Sequence, residues 1–229
     1  MEIGPRTAAT IVAVMSFAVF LGFVSADPDM LQDVCVADLT SRKSIHALSM
    51  QANVNGFPCK ETFNETDFFF DGLAKPGPTN NTFGFVVNTA NVEKFPGLNT
   101  LGLSLSRGDY APYGLNRPHS HPRASELVFV LYGELEVGFI TTGNVFFTKT
   151  IKAGEMFVIP RGLIHFQKNK GPTPAATIGA FNSQLAGTQS IATALFAAKP
   201  TVPDDVLATA FQIDTQQVEM IKAKLAPKS

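Results

Sequence analysis

The chain of 229 residues contains no tryptophan, two cysteines and four histidines, and only 16% of its residues are charged. Two cysteines cannot build a Cys-rich zinc module. Eighteen Lys+Arg stand against 19 Asp+Glu, a formal net charge of −1. With no basic excess and no Lys/Arg cluster, the sequence excludes a nucleic-acid partner by composition. A hydrophobic content of 45%, with 20 Phe, rules out disorder as the dominant state. There is no internal repeat, no low-complexity segment and no P-loop or dinucleotide fingerprint for phosphates. Strand and helix patterns do not alternate, so a parallel α/β sheet is not expected.

One long apolar run is present. Arg6 precedes Ala8 to Val24, interrupted only by Thr10, Ser16 and Gly22, and Val24-Ser25-Ala26 then offers small residues before Asp27-Pro28-Asp29. This is the pattern of a secretory signal peptide over residues 1–26, cleaved after Ala26. A membrane anchor is the competing reading, because the run nearly reaches spanning length. No later stretch is long enough to span. Cys35 and Cys59 both follow the leader, and in an oxidising compartment they most simply form one disulfide. Such a loop closure is worth about 3 kcal/mol by chain entropy. Paired catalytic or metal-binding thiols are the alternative, and the spacing is far from C-x-x-C. Asn64-Glu65-Thr66 and Asn80-Asn81-Thr82 are N-glycosylation acceptors suited to the same compartment, at Asn64 and Asn80.

Residues 27–80 are rich in Asp, Asn, Gly and Pro and read as an irregular extension pinned by the disulfide. Residues 81–187 read as β structure. Leu101, Leu103 and Leu105 alternate with small or polar residues, which predicts a half-buried strand. Leu127 to Ile140 is a longer β-rich stretch broken at Gly133-Glu134, and the stretches ending at Ile151, Ile159, Gln167 and Phe181 continue the pattern. Arg107-Gly108-Asp109 spells an adhesion tripeptide, and a turn at a strand end is the reading preferred for it. Residues 188–229 switch to helical grammar: an Ala-rich run from Ser190 to Ala198, a second opening at Pro203-Asp204-Asp205, and a third at Asp214 with Gln217 in a capping-box relation. Leu207, Phe211, Val218 and Ile221 give this tail an apolar face, which suits either a self-packing cap or an assembly arm.

Three of the four histidines fall in two short contexts. His119-Ser120-His121 follows Pro118, and Glu126 comes five residues later. Residues i and i+2 of a strand share a face, so both imidazoles can reach one ion, with a carboxylate close behind. Gly154 then leads through Pro160-Arg161-Gly162 to His165 and Asn169, and the Pro-x-Gly turn returns a third histidine toward the same cavity. His46 stands apart and reads as an ordinary surface or core residue.

These two segments resemble the germin-like branch of the cupin superfamily. The first motif, G-x5-H-x-H-x(3,4)-E-x6-G, is matched by His119, His121, Glu126 and Gly133, but its first glycine falls on Tyr113, beside Gly114. That substitution predicts a loop of slightly different shape. The second motif, G-x5-P-x-G-x2-H-x3-N, is matched in full by Gly154, Pro160, Gly162, His165 and Asn169. Likeness extends to Leu31–Leu39 and Phe95–Gly102. The resemblance implies an all-β cupin jelly-roll β-barrel with a short C-terminal α-helical extension. It implies a manganese cofactor on His119, His121, Glu126 and His165, and the family disulfide on Cys35 and Cys59. It further implies a homo-oligomer, a hexamer built as a trimer of dimers, in the plant apoplast or cell wall, with a role in defence or stress.

Superoxide dismutase activity is the lead expectation, with a small anion or oxygen species as substrate. Of two amides that grip oxalate in the oxidase-type germins, one aligns with Asn116 and the other with Ser106, a shorter side chain. Oxalate oxidase activity is therefore expected to be weak or absent. Asn116 reads equally well as a turn residue. The sequence leaves open hydrolysis of nucleotide sugars and a non-enzymatic wall or receptor module in which the ion only braces the barrel.

Overall fold

In a computed structural model of the protein, residues 33–40 and 56–226 are described. The expected leader over residues 1–26 and His46 lie outside them. Ten strands follow in order: β1 Phe85–Ala90, β2 Ser104–Tyr110, β3 Leu115–Ser120, β4 Glu126–Tyr132, β5 Glu134–Ile140, β6 Phe146–Lys152, β7 Met156–Ile159, β8 Ile164–Lys168, β9 Ala175–Phe181 and β10 Gln189–Ser190. They form two antiparallel five-stranded sheets, in the orders β1-β2-β9-β4-β7 and β10-β3-β8-β5-β6. Helices α1 Ile191–Phe196, α2 Asp204–Phe211 and α3 Thr215–Leu225 follow the strands among the described residues. This is the all-β jelly roll with a helical extension.

The inward faces follow the period of two that a strand imposes. Along β4, Glu126, Val128 and Val130 are buried while Leu127 is exposed. Val128 and Val130 join Tyr110, Leu135, Val137, Ile151, Ile159 and Ala175 in one apolar core between the sheets, with Phe85, Phe139 and Phe157 against it. The polar inward positions, Glu126 on β4 and His165 and Gln167 on β8, gather at one end. The tail packs on itself around Phe196, Leu207 and Val218, with Ile221 alongside. Asp214 and Gln217 form the capping box that starts α3, each side chain bonding the other's backbone.

Cys35 and Cys59 are disulfide-bonded, with their Cα atoms 4.9 Å apart. No cysteine is left as a free thiol for catalysis or metal binding. Buried Asn99 fastens this loop to the barrel: its amide nitrogen donates to the Phe57 carbonyl at 2.8 Å and its oxygen accepts from the Phe57 N–H at 3.1 Å. Asn64 and Asn80 are both exposed.

Two expectations are corrected. Leu101 and Leu103 precede the strand, which starts at Ser104, and Leu101, Leu103 and Leu105 are 42%, 47% and 41% exposed. Thr100 and Gly102, at φ 67° and 66°, put left-handed kinks where an extended strand would need negative φ. The Arg107-Gly108-Asp109 string is not a turn, because it runs through the middle of β2 with all three residues buried. Arg107 Nε donates to both Asp109 carboxylate oxygens at 3.0 and 3.1 Å. Its Nη1 donates to the Leu73 carbonyl, and Asp109 accepts from the Gly77 N–H. The pair clamps the N-terminal extension onto the barrel wall, so the tripeptide is not displayed for adhesion. Removing one member of a buried pair strands the other, at a cost of about 3–5 kcal/mol. Arg107→Leu is accordingly expected to lower unfolding free energy by about that much, and to speed proteolysis between residues 71 and 78. Urea titration and limited digestion check this.

The missing motif glycine has a conformational answer. Tyr113 adopts φ 62°, the left-handed region, and its side chain is 64% exposed. The loop keeps the turn a glycine would make, and the tyrosine bears the strain, about 1–2 kcal/mol for a residue with a Cβ. Gly162 sits at φ 76°, and a Cβ there would meet nothing within 4 Å, so dihedral angle alone calls for glycine. Tyr113→Gly is thus expected to stabilise the protein by about 1 kcal/mol, and Gly162→Ala to destabilise it by about 1 kcal/mol. Chemical denaturation of the two variants beside wild type reads both signs.

Candidate metal centre

The two motifs meet through hydrogen bonds that neither contains alone. The Pro160–Gly162 turn donates its Gly162 N–H to the His121 carbonyl at 3.0 Å, and Arg161 Nε donates to the Pro122 carbonyl. Buried Asn169 donates its amide to the carbonyls of Ala111 and Thr173 and accepts the Gly171 N–H. Its own N–H reaches the Gly114 carbonyl, while the Tyr113 N–H reaches that of Gly171. The last residue of the second motif therefore sets the loop that opens the first.

His119 lies near the end of β3 and pairs in register with His165 of β8. His121 follows one residue past the strand, and Glu126 opens β4 in the opposite sheet. The structure brings the four together: one ligand atom from each lies within 4.8 Å of all the others, and every residue is between 1% and 7% exposed. The donors come from both sheets, so an ion held among them ties the sheets together.

Each imidazole is held by a backbone carbonyl on its Nδ1 side. His119 Nδ1 faces the Arg117 carbonyl at 2.7 Å, His165 Nδ1 that of Leu163 at 2.8 Å, and His121 Nδ1 that of Gly187. A carbonyl only accepts, so Nδ1 donates in all three rings, and Nε2 is left facing the interior, where it carries a proton toward Glu126 or presents its lone pair to an ion. The Nε2 atoms of His165 and His121 stand 3.1 and 3.4 Å from Glu126 Oε2.

The electrostatics suit a cation. Burial alone would raise the Glu126 carboxyl, but hydrogen bonds and charge from His121 and His165 bring it down to about 2. Burial, then the neighbouring His165, lowers His119 to about 4, so its ring is neutral at physiological pH. His121 is also pulled down by burial, yet the Glu126 carboxylate outweighs this and leaves it above its ordinary value. A proton and a metal ion compete for the same Nε2 pair there. With that proton displaced, three imidazole nitrogens and one carboxylate oxygen form a donor set that fits a divalent transition ion.

Asn116 and Ser106 flank this group without joining it. Asn116 Nδ2 donates to Gln167 Oε1 at 2.6 Å, and the two residues are register partners across β3 and β8. Ser106 is buried on β2, opposite Gly179 of β9. A Cβ on Gly179 would fall 2.7 Å from both Ser106 Oγ and Glu126 Oε1, so glycine is required there by close approach. Gln167, Gly179, Phe181 and Gly187 are contributors that sequence reasoning missed. Gln167 was legible, since it lies two residues beyond His165 on the same strand face. The other three depend on cross-strand register or a loop carbonyl and leave no local signal.

Residues 71–219 match the cupin family. Germin-like protein 5-1 of Oryza sativa subsp. japonica is 61% identical over 225 residues, 98% of each chain. Nectarin-1 of Nicotiana langsdorffii x Nicotiana sanderae is 64% identical over 203 residues, 89% of this chain and 85% of its own. Among solved structures, a recombinant oxalate oxidase in complex with glycolate superposes with a TM-score of 0.79 at 43% identity, covering 87% of this chain and 98% of that one. With the barrel, the two linked motifs and the buried three-histidine, one-carboxylate group, these likenesses establish that the chain belongs to the cupin family, as a germin-like protein.

Proposed function

We propose that this germin-like protein is secreted, holds manganese on His119, His121, Glu126 and His165, and disproportionates superoxide in the plant apoplast or cell wall, in a defence or stress role. The observation that carries the reading is the donor set: three imidazoles with Nδ1 pinned to carbonyls, and a buried carboxylate held ionised. Nitrogen and carboxylate donors without thiolate suit manganese or iron, and four protein donors fall short of the six that an octahedral ion takes. Manganese binds weakly in the divalent series, so site geometry and metal supply select it. Bound there, it supplies one-electron redox chemistry between two oxidation states. The chain's own part is to fix the rings, keep Glu126 charged at neutral pH and shield the donors from bulk water.

Secretion is supported by the leader-like N-terminus, the disulfide and the two exposed acceptor asparagines. Asn64 uses its side-chain oxygen to cap the turn at Thr66, which leaves its nitrogen for a glycan. Assembly as a hexamer, a trimer of dimers, is supported by an apolar row on the outside of one sheet. There Leu127 and Val158 are exposed and pair in register across β4 and β7.

Superoxide dismutation by secreted, metal-quantified protein tests the reading. Activity is expected to scale with bound manganese, and His121→Ala is expected to drop both metal content and activity to about a tenth or less, since even outer-shell losses cost 10–100-fold. Full manganese occupancy without dismutation would overturn the enzymatic reading. It would favour a non-enzymatic role, which the position of the donors across both sheets also suits.

Oxalate tests specificity. The Asn116 amide is engaged by Gln167, and Ser106 offers one hydroxyl where a second amide would be needed to grip a dicarboxylate. Wild type is expected to yield no oxalate-dependent peroxide above background, with Ser106→Asn gaining it. A robust peroxide yield from wild type would contradict this.

A further inference from the structure

A cavity of about 350 Å³ opens beside the metal centre, lined by His121 and by none of the other three donors. His121, Phe181, Leu105, Arg123, Gly187 and Glu93 are among its lining residues, and Arg123 and Glu93 are the ones with a fixed charge. Its volume lies in the range of small-molecule sites.

Arg123 is held in a particular pose. Its Nε donates to the Leu185 carbonyl at 2.7 Å, which uses the inner edge of the guanidinium. The outer nitrogens make no hydrogen bond or ion pair among the described residues. They lie against Gly187, where a Cβ would come within 2.7 Å of Nη2 and 3.0 Å of Cζ. Glycine at that position makes room for the guanidinium, and the Gly187 carbonyl in turn accepts from His121 Nδ1. The lining also carries apolar Leu105 and Phe181, the latter set edge-on to the His121 ring with centroids 4.8 Å apart.

We propose that this cavity binds a small monocarboxylate with an apolar body, its carboxylate on the outer nitrogens of Arg123 and its body against Phe181 and Leu105. A planar guanidinium with two free donors matches a carboxylate in bidentate fashion. Arg123 is the one guanidinium in the lining and offers a single pair of donors, which favours a monoanion over a dianion such as oxalate or phosphate. The site excludes His119, Glu126 and His165 but shares the His121 ring and the Gly187 strut, so an occupant lies against one ligand of the ion.

Equilibrium dialysis of the full secreted protein against benzoate tests this, with benzamide as the uncharged isostere. Benzoate is expected to bind saturably with a Kd of about 1 mM or tighter, a modest demand for nine heavy atoms. Benzamide and the Arg123→Gln variant are each expected to weaken binding about tenfold or more, and Arg123→Lys, with charge but no fork, to fall between. Binding is expected to survive removal of metal by chelation. Leu105→Trp, at the exposed rim, is expected to block the cavity while leaving the Arg123 tether in place. Equal binding of benzoate and benzamide, or no saturable binding, would overturn the proposal. So would binding that survives Arg123→Gln and vanishes with the metal, which would put the carboxylate on the ion instead.

Discussion

Burying the carboxylate of Glu126 is the constraint from which the rest of the site follows. A lone carboxylate inside a protein is strongly disfavoured and would take up a proton instead. Here it stays ionised because His121, just past the end of β3, and His165, on β8, approach it. Those rings can do so only if their far nitrogens are satisfied elsewhere, and the carbonyls of Gly187 and Leu163 provide that. The site is therefore a set of mutually required hydrogen bonds that also fixes the spacing between the sheets. A cation completes it by giving the carboxylate and the three lone pairs a common partner.

The two motifs are best understood as one structural device. The turn at Gly162 is bonded to the backbone of His121, and Asn169 organises the loop that carries Tyr113. The second motif thus holds the backbone of the first at both ends, at the loop before β3 and at His121. This explains why polar residues with no donor role, such as Asn169, are completely enclosed: every polar atom of that side chain is used. The strain at Tyr113 is tolerated because the surrounding bonds over-determine the turn.

Charge in this molecule is used sparingly and mostly structurally. The Arg107–Asp109 pair holds the N-terminal extension, and Arg161 and Arg123 tether neighbouring loops through Nε to carbonyls. Arg123 differs in keeping its outer nitrogens open to a cavity that adjoins a metal ligand.

The histidine–glutamate spacing, the Pro-x-Gly turn, the helical capping box and the β-rich stretch from Leu127 to Ile140 were all legible in the chain. Each depends on a local period or on a turn chemistry confined to a few residues. Local pattern also misled. Alternating leucines at 101–105 look like the buried face of a half-buried strand, yet the backbone kinks at Thr100 and Gly102 and the side chains stay exposed. Arg107-Gly108-Asp109 looks like a displayed turn until residues 73–77 are laid over it. The requirement for Gly179, the carbonyl of Gly187 behind His121 and the pose of Arg123 were decided only when distant strands came into register. Spacing along a chain determines which residues can share a face. Which faces meet, and what each polar atom finds there, is settled by contacts between segments far apart in sequence.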